Sequence, residues 1–214
     1  MKSDSLIVTG MGCICAPGNN LAEVKQSLYK GERNPRPPAK IHAQLEFSYP
    51  VFEVISDLEG MDQSATRTSS LTLLAVQEAL SQAALDPSEL RAKRVGVAIG
   101  TTVGCTLNNE PFYRQYRAGH NPGMEAIDMY LDNNPALYIA RTFGLNGPAA
   151  TVANACSSGS DAIGLAKSWI ENDYCDLAIA GGADELSRIT YLGFISLLIS
   201  SLSGCRPFDK IGTV

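Results

Sequence analysis

Cys156 is the residue of this sequence whose surroundings best suit nucleophilic chemistry. It stands in Asn154-Ala155-Cys156-Ser157-Ser158-Gly159, between a run of small strand-forming residues and a helical pattern. A thiol near its free pKa is mostly protonated at neutral pH, whereas the unpaired amides and positive dipole end of a helix stabilise the thiolate. A strand-turn-helix connection also offers the nucleophile's own backbone N–H to an oxyanion developing on a thioester carbonyl, as the nucleophile elbow of serine hydrolases does. Ala153, Ala155 and Gly159 leave room for a substrate or another strand to approach. Taken by itself, the same residue could equally be a small buried cysteine at a tight turn.

The elements that must hold this turn alternate between strand and helix signals, which argues for α/β layers with a largely parallel sheet. Residues 6–9 read as a first strand ended by Gly10 and Gly12, and Asn20 with Glu23 as a capping box for a helix that stops at Gly31. Residues 31–60 carry Pro35, Pro37, Pro38 and Pro50 and read as an irregular excursion with a short strand at 50–55. A helix with one apolar stripe runs over 64–85, where Pro87 prevents its continuation. Residues 94–99 form a second strand, followed by a polar loop. Asn133-Asn134-Pro135 supplies a cap and a first-turn proline for a helix to Phe143 that Gly144 closes. Residues 149–155 are the strand leading to Cys156, 158–171 the helix after it, and 176–180 a further strand. The apolar stretch 191–199 reads as a buried segment, far short of the about 20 residues that span a bilayer.

Ala155-Cys156-Ser157-Ser158-Gly159, its helix, and Asp176-Leu177-Ala178-Ile179-Ala180-Gly181-Gly182-Ala183-Asp184 together resemble the β-ketoacyl synthase family, whose members use the thiolase fold. Val8-Thr9-Gly10-Met11-Gly12, Arg94-Val95-Gly96-Val97-Ala98-Ile99-Gly100-Thr101-Thr102, Gly147-Pro148 and Cys205-Arg206-Pro207-Phe208-Asp209-Lys210 follow in the family's order, so the likeness covers nearly the entire chain. It implies the N-terminal repeat of a thiolase-like fold, layered αβα around a mixed, mostly parallel five-stranded sheet. Residues 1–210 would be the N-terminal half-domain and 211–214 a tail, with the C-terminal half absent. It implies that Cys156 takes an acyl group from an acyl carrier protein, for decarboxylative condensation with a malonyl carrier thioester in fatty-acid or polyketide-like synthesis. By the same resemblance, Thr101, Thr102 and Gly104 would bind the acyl substrate. Arg67, Arg206 and Lys210 would help dock the acidic carrier. The strand at 149–155 would pair in a homodimer. Ser157-Ser158-Gly159 and Asp161-Ala162-Ile163-Gly164-Leu165 lean toward synthases of polyene-type lipids.

In the family the condensation step uses two histidines and a lysine from the later half. Here His42 and His120 match no family motif, which points to incomplete machinery in this chain. A second reading is therefore a non-catalytic or truncated assembly subunit whose Ile163, Ala166 and Trp169 face needs a complementary chain. A cysteine hydrolase on the same elbow would need a histidine in reach.

Other chemistries fare less well. Gly10-Met11-Gly12 opens like a dinucleotide fingerprint, but Cys15 stands where the third glycine belongs; a tight strand-to-helix turn explains the pair as well. Gly100-Thr101-Thr102-Val103-Gly104 lacks the Gly-Lys ending of a phosphate loop. Gly181-Gly182 reads as a sharp turn, and Asp184-Glu185 as charge at a helix N-terminus. Six cysteines without a C-x-x-C pair fit reduced thiols in the cytoplasm, with no metal and no cofactor implied. A formal charge of -5 without any basic run excludes a nucleic-acid surface, and 45% apolar residues supply an ordinary globular core.

Overall fold

The computed structural model describes residues 6–41, 45–56, 62, 65–202 and 204. Two compact units compose it: Met1–Cys13 with Leu58–Glu185, and Ile14–Asp57 with Leu186–Val214. In chain order the helices are α1 (Leu21–Lys30), α2 (Arg67–Gln82), α3 (Pro87–Arg91), α4 (Thr106–Arg117), α5 (Glu125–Asp132), α6 (Pro135–Phe143), α7 (Ser158–Glu171) and α8 (Arg188–Ser196). The strands are β1 (Val95–Gly100), β2 (Ala149–Val152) and β3 (Leu177–Gly182).

In the first unit the three strands form a parallel sheet in the order β2-β1-β3. Every residue of β1 is buried, because a central parallel strand is covered on both faces and so reads as continuous apolar sequence. On one face Leu73, Val76 and Leu80 of α2 and Ile139 of α6 pack with Val95, Val97 and Ile99. On the other, Ala162 and Ala166 of α7, with Trp169, pack against Ala98. The result is a helix-sheet-helix sandwich whose strands end level: Gly100 lies opposite both Val152 and Gly182. Open parallel sheets bind ligands beyond such carboxyl ends.

Local chemistry accounts for the helix limits. Asn134 accepts from the Leu137 amide, Pro135 fills the first turn, and Gly144 leaves α6 at φ 65°. Pro87 does more than stop α2, since it opens α3 behind an Asp86/Glu89 capping box. Arg94, just before β1, donates to both Asp173 and Asp176 at the entry to β3 and clasps the two strands at their start.

Several expectations are corrected. Among the described residues the sheet has three strands, not five, and 6–9 form no ladder; Ile7 and Val8 are exposed. Gly10 and Gly12 serve close approach to α2 instead of a turn, because an added Cβ would lie 2.1 Å from the Ala79 oxygen and 1.9 Å from the Ala75 oxygen. The polar loop after β1 is two helices, α4 and α5, with no buried residue in either. An i,i+4 Glu110–Arg114 ion pair and the stacked Phe112 and Tyr116 rings support α4, which also carries Pro111 inside it.

α7 also differs from expectation. Ala162, Ala166 and Trp169 recur at i, i+4 and i+7 and face this chain's own sheet, so of the expected interface residues only Ile163 is exposed.

The second unit holds α1 and α8. Asn20 caps α1 through the Glu23 amide, and Gly31 ends it at φ 71°. Among its described residues the excursion keeps one antiparallel bridge, Arg36 with Val51, in place of the short strand expected at 50–55. Tyr191 is buried with Ile41 and Val51 and its hydroxyl bonds the Tyr49 backbone. The rest of 191–199 is not the buried segment expected, for Phe194, Leu197, Leu198 and Ile199 are exposed. That run is apolar on all sides of a nine-residue helix, and only one side meets this small cluster.

Candidate active site

Two glycines let α7 begin directly on the strand ends. A Cβ on Gly100 would lie 2.3 Å from the backbone carbon and oxygen of Ser158, and one on Gly182 would lie 3.1 Å from the Gly159 Cα. Gly182 therefore serves helix-strand contact, not the sharp turn expected of Gly181-Gly182; it is the last residue of β3. This seating fixes the connection between β2 and α7 that carries Cys156.

Within that connection, Ala155 adopts φ 48°, a left-handed backbone on a residue with a Cβ. Its carbonyl accepts from Thr102 Oγ1 at 2.7 Å and Ser158 Oγ at 2.8 Å. Ser158 is buried, and its Oγ also accepts from the Asn154 amide at 2.8 Å. Asp161, one turn into α7, accepts from Asn154 Nδ2 at 2.6 Å and from Ser157 Oγ at 2.9 Å. The Asn154 amide, then the Ser157 hydroxyl, hold its carboxyl below the usual carboxylate range. Ser157 occupies the N-cap position of α7 without a side-chain cap bond, because its hydroxyl is turned to Asp161 and the Asn154 carbonyl. Cys156, bracketed by these contacts, is a free thiol on the surface.

The loop after β1 flanks the same edge. Thr101 is buried; its hydroxyl donates to Asp184 at 2.6 Å and accepts from the Gly104 amide at 3.1 Å. Thr102 is exposed. Gly104 is buried where an added Cβ would lie 2.2 Å from Thr101 Oγ1. Glu185, beside Asp184, is buried and accepts from the Leu107 amide at 2.9 Å; burial pushes its carboxyl up. Glu185 is thus a helix N-terminal charge, but for α4, which precedes it in sequence. Cys105 lies at the same helix start, wholly buried, its sulfur 3.0 Å from Thr66 Oγ1, and burial pushes its thiol up to about 11.

The structure therefore brings Cys156, Thr101 and Thr102 to one edge of the sheet, with Gly104 one turn behind. Arg67 is half-buried as the first residue of α2. Arg206, Lys210 and His42 lie outside the described residues. His120 is exposed between α4 and α5. Asn154, Ser158 and Asp161 belong to the motif around Cys156, yet their supporting contacts were not readable from it. Asn154, seven residues before Asp161, reaches it only because the turn at Ala155 folds the strand end back over the first turn of α7.

No helix among the described residues is long and apolar enough to cross a membrane. Residues 3–212 match the family model described as the beta-ketoacyl synthase N-terminal domain. The ketoacyl synthase alpha subunit of the tetracenomycin polyketide synthase of Streptomyces glaucescens is 26% identical over 96% of this chain and 53% of its own length. The 3-oxoacyl-[acyl-carrier-protein] synthase 2 of Synechocystis sp. is 28% identical over 98% and 54%. Among solved structures, a ketosynthase in complex with its chain length factor from Xenorhabdus doucetiae superposes with a TM-score of 0.73 at 28% identity, covering 93% of this chain and 51% of that one. The chain spans about half the length of the curated relatives it matches. It belongs to the β-ketoacyl synthase family, and what it matches there is the N-terminal half of a thiolase-like fold.

Proposed function

We propose that this chain supplies the acyl-accepting half of a β-ketoacyl synthase in fatty-acid or polyketide-like synthesis. The Cys156 sulfur bonds to the acyl carbon of an acyl carrier thioester, the carrier's carbon-sulfur bond breaks, and the carrier thiol leaves with the proton that Cys156 gives up. A malonyl carrier thioester then loses carbon dioxide, and its carbanion attacks the bound acyl carbon and releases the Cys156 thiolate. Acylation is the step this chain's residues serve; the second step calls on histidines that the family carries in its later half. The single observation behind this reading is a surface thiol on the β2–α7 turn, at the carboxyl edge of the sheet, in a chain of this family. Thr102, exposed beside the turn, would meet the acyl chain, with the buried Thr101 and Gly104 shaping the loop behind it, and Arg67 with Arg206 and Lys210 would contribute positive charge for the acidic carrier. Incubation with a radiolabelled acyl carrier thioester should label Cys156 and leave Cys156→Ser unlabelled. Absence of label, with or without a supplied later half, would sink the assignment.

A second reading, an assembly subunit, is favoured by exposed Ile7, Val8, Ile163 and Phe194, large side chains that a partner would cover. β2, an edge strand of the sheet, suits pairing with a second copy. Light scattering should then find self-association or a complementary chain, and a monodisperse monomer would contradict it.

A further inference from the structure

The left-handed turn at Ala155 has no local cause. Glycine or asparagine adopts such a backbone readily, whereas alanine has a Cβ that crowds its own carbonyl and no side-chain polar group to compensate. Backbones of this kind persist only where the surroundings hold them. Here the holders are identifiable. Ser158 donates to the Ala155 carbonyl while accepting from the Asn154 amide, so one buried hydroxyl ties together the peptide units on either side of Asn154-Ala155, just ahead of the nucleophile. Thr102, from the loop after β1, donates to the same carbonyl. Ser158 is itself fixed, because its backbone rests on Gly100.

We infer that Ser158 is a positioning residue: its hydroxyl, seconded by Thr102, holds Ala155 in the left-handed turn that sets the Cys156 thiol at the start of α7. Buried and fully engaged, Ser158 does not touch substrate and acts through the backbone alone. Without it, Ala155 relaxes to an ordinary backbone and shifts the Cys156 thiol from its place on the exposed β2–α7 turn. Glycine at 155 needs no holder, since it populates the left-handed region freely. The inference deepens the reading of Cys156 as the acyl acceptor and rests on it.

The test is the rate of Cys156 alkylation by iodoacetamide, read by peptide mass spectrometry, in Ser158→Ala, Ala155→Gly and the double variant. Ser158→Ala should slow the reaction about fivefold or more, and adding Ala155→Gly should restore it to within about twofold of the parent. A loss of packing alone would slow or speed both backgrounds alike, so equal effects, or no effect of Ser158→Ala, would overturn the inference. Should Ser158→Ala fail to fold, Thr102→Val removes the second bond to the same carbonyl and is compared in the same two backgrounds. Iodoacetamide needs neither acyl pocket nor carrier, so failure of thioester labelling would remove the acyl-acceptor reading and leave this comparison standing.

Discussion

Two turns leave the same edge of the sheet, each ends at the start of a helix, and each holds a cysteine with a different fate. After β1 the chain reaches Cys105 at φ 67°, the N-cap position of α4; after β2 it passes Ala155 at φ 48° and Cys156 before α7. In neither does the N-cap side chain make a cap hydrogen bond. Yet Cys105 is wholly buried and its thiol pushed up to about 11, whereas Cys156 is on the surface. A helix start is therefore not enough to make a reactive thiol. At α4 a buried carboxylate, Glu185, already meets the Leu107 amide, and burial around Cys105 outweighs whatever the helix dipole offers. At α7 the first-turn carboxylate, Asp161, is tied to Asn154 and Ser157, and the thiol stays open to a reagent.

The largest consequence is kinetic. Cys156 should react with a small alkylating reagent about 100-fold or more faster than Cys105, which must await local opening of the fold. Peptide-resolved labelling under native conditions measures both rates at once; similar rates would mean that the two turns do not differ as their burial implies.

Next in size is the contact that seats α7. Gly100→Ala places a methyl group 2.3 Å from Ser158 backbone atoms that cannot swing aside, and should cost about 3 kcal/mol, the upper end for overpacking. Gly159→Ala is the control on the facing side. Its Cβ meets nothing closer than 3.7 Å, and alanine is the better helix former, so urea melts should find it neutral or slightly stabilised. Equal losses from the two substitutions would argue that the seat is less tight than it looks and that the Cys156 turn is not built on it.

Local chemistry made part of this legible in advance. The caps of α1 and α6, the buried run of β1 and the placement of Cys156 between β2 and α7 all follow from nearest-neighbour rules, and the motif order carried the family. What stayed hidden depends on contacts between distant residues. α4 carries Pro111 inside it, a residue that argues locally against a helix, and Glu185, which meets the first turn of α4, comes from 78 residues further on. Nothing local says that Gly100 must be bare because Ser158 will lie against it. The pattern that suggested burial of 191–199 was real, but hydrophobicity without periodicity does not say which side is covered: Tyr191 is buried with Leu192 and Ile195 packed beside it, while Phe194, Leu197, Leu198 and Ile199 are exposed. The same holds between the two cysteines: Cys105 and Cys156 look alike as residues before a helix, and only the packing of Thr66, Thr68 and Glu185 around one of them tells them apart.

The smallest expected effect isolates the buried member of the pair. A cysteine thiol ordinarily titrates near 9.0, and burial pushes that of Cys105 up to about 11, with the Thr66 hydrogen bond acting the other way. As pH rises past 9 the unfolded chain gives up this proton while the folded chain keeps it, so the unfolded state is favoured progressively until about pH 11. The chain should lose about 2–3 kcal/mol of stability from this group across that window, at up to about 1.4 kcal/mol per pH unit. Cys105→Ala removes the titration but keeps a Cβ at φ 67°, so backbone strain is unchanged and the lost sulfur contacts cost the same at every pH. The comparison is of slopes, not of levels. Cys175, also pushed up by burial, should leave a residual slope in the variant. Denaturation midpoints at pH 8, 9, 10 and 11 for the two proteins decide it. A slope that survives intact in Cys105→Ala would mean that burial does not hold this thiol protonated, and the contrast with Cys156 would then need a cause other than desolvation.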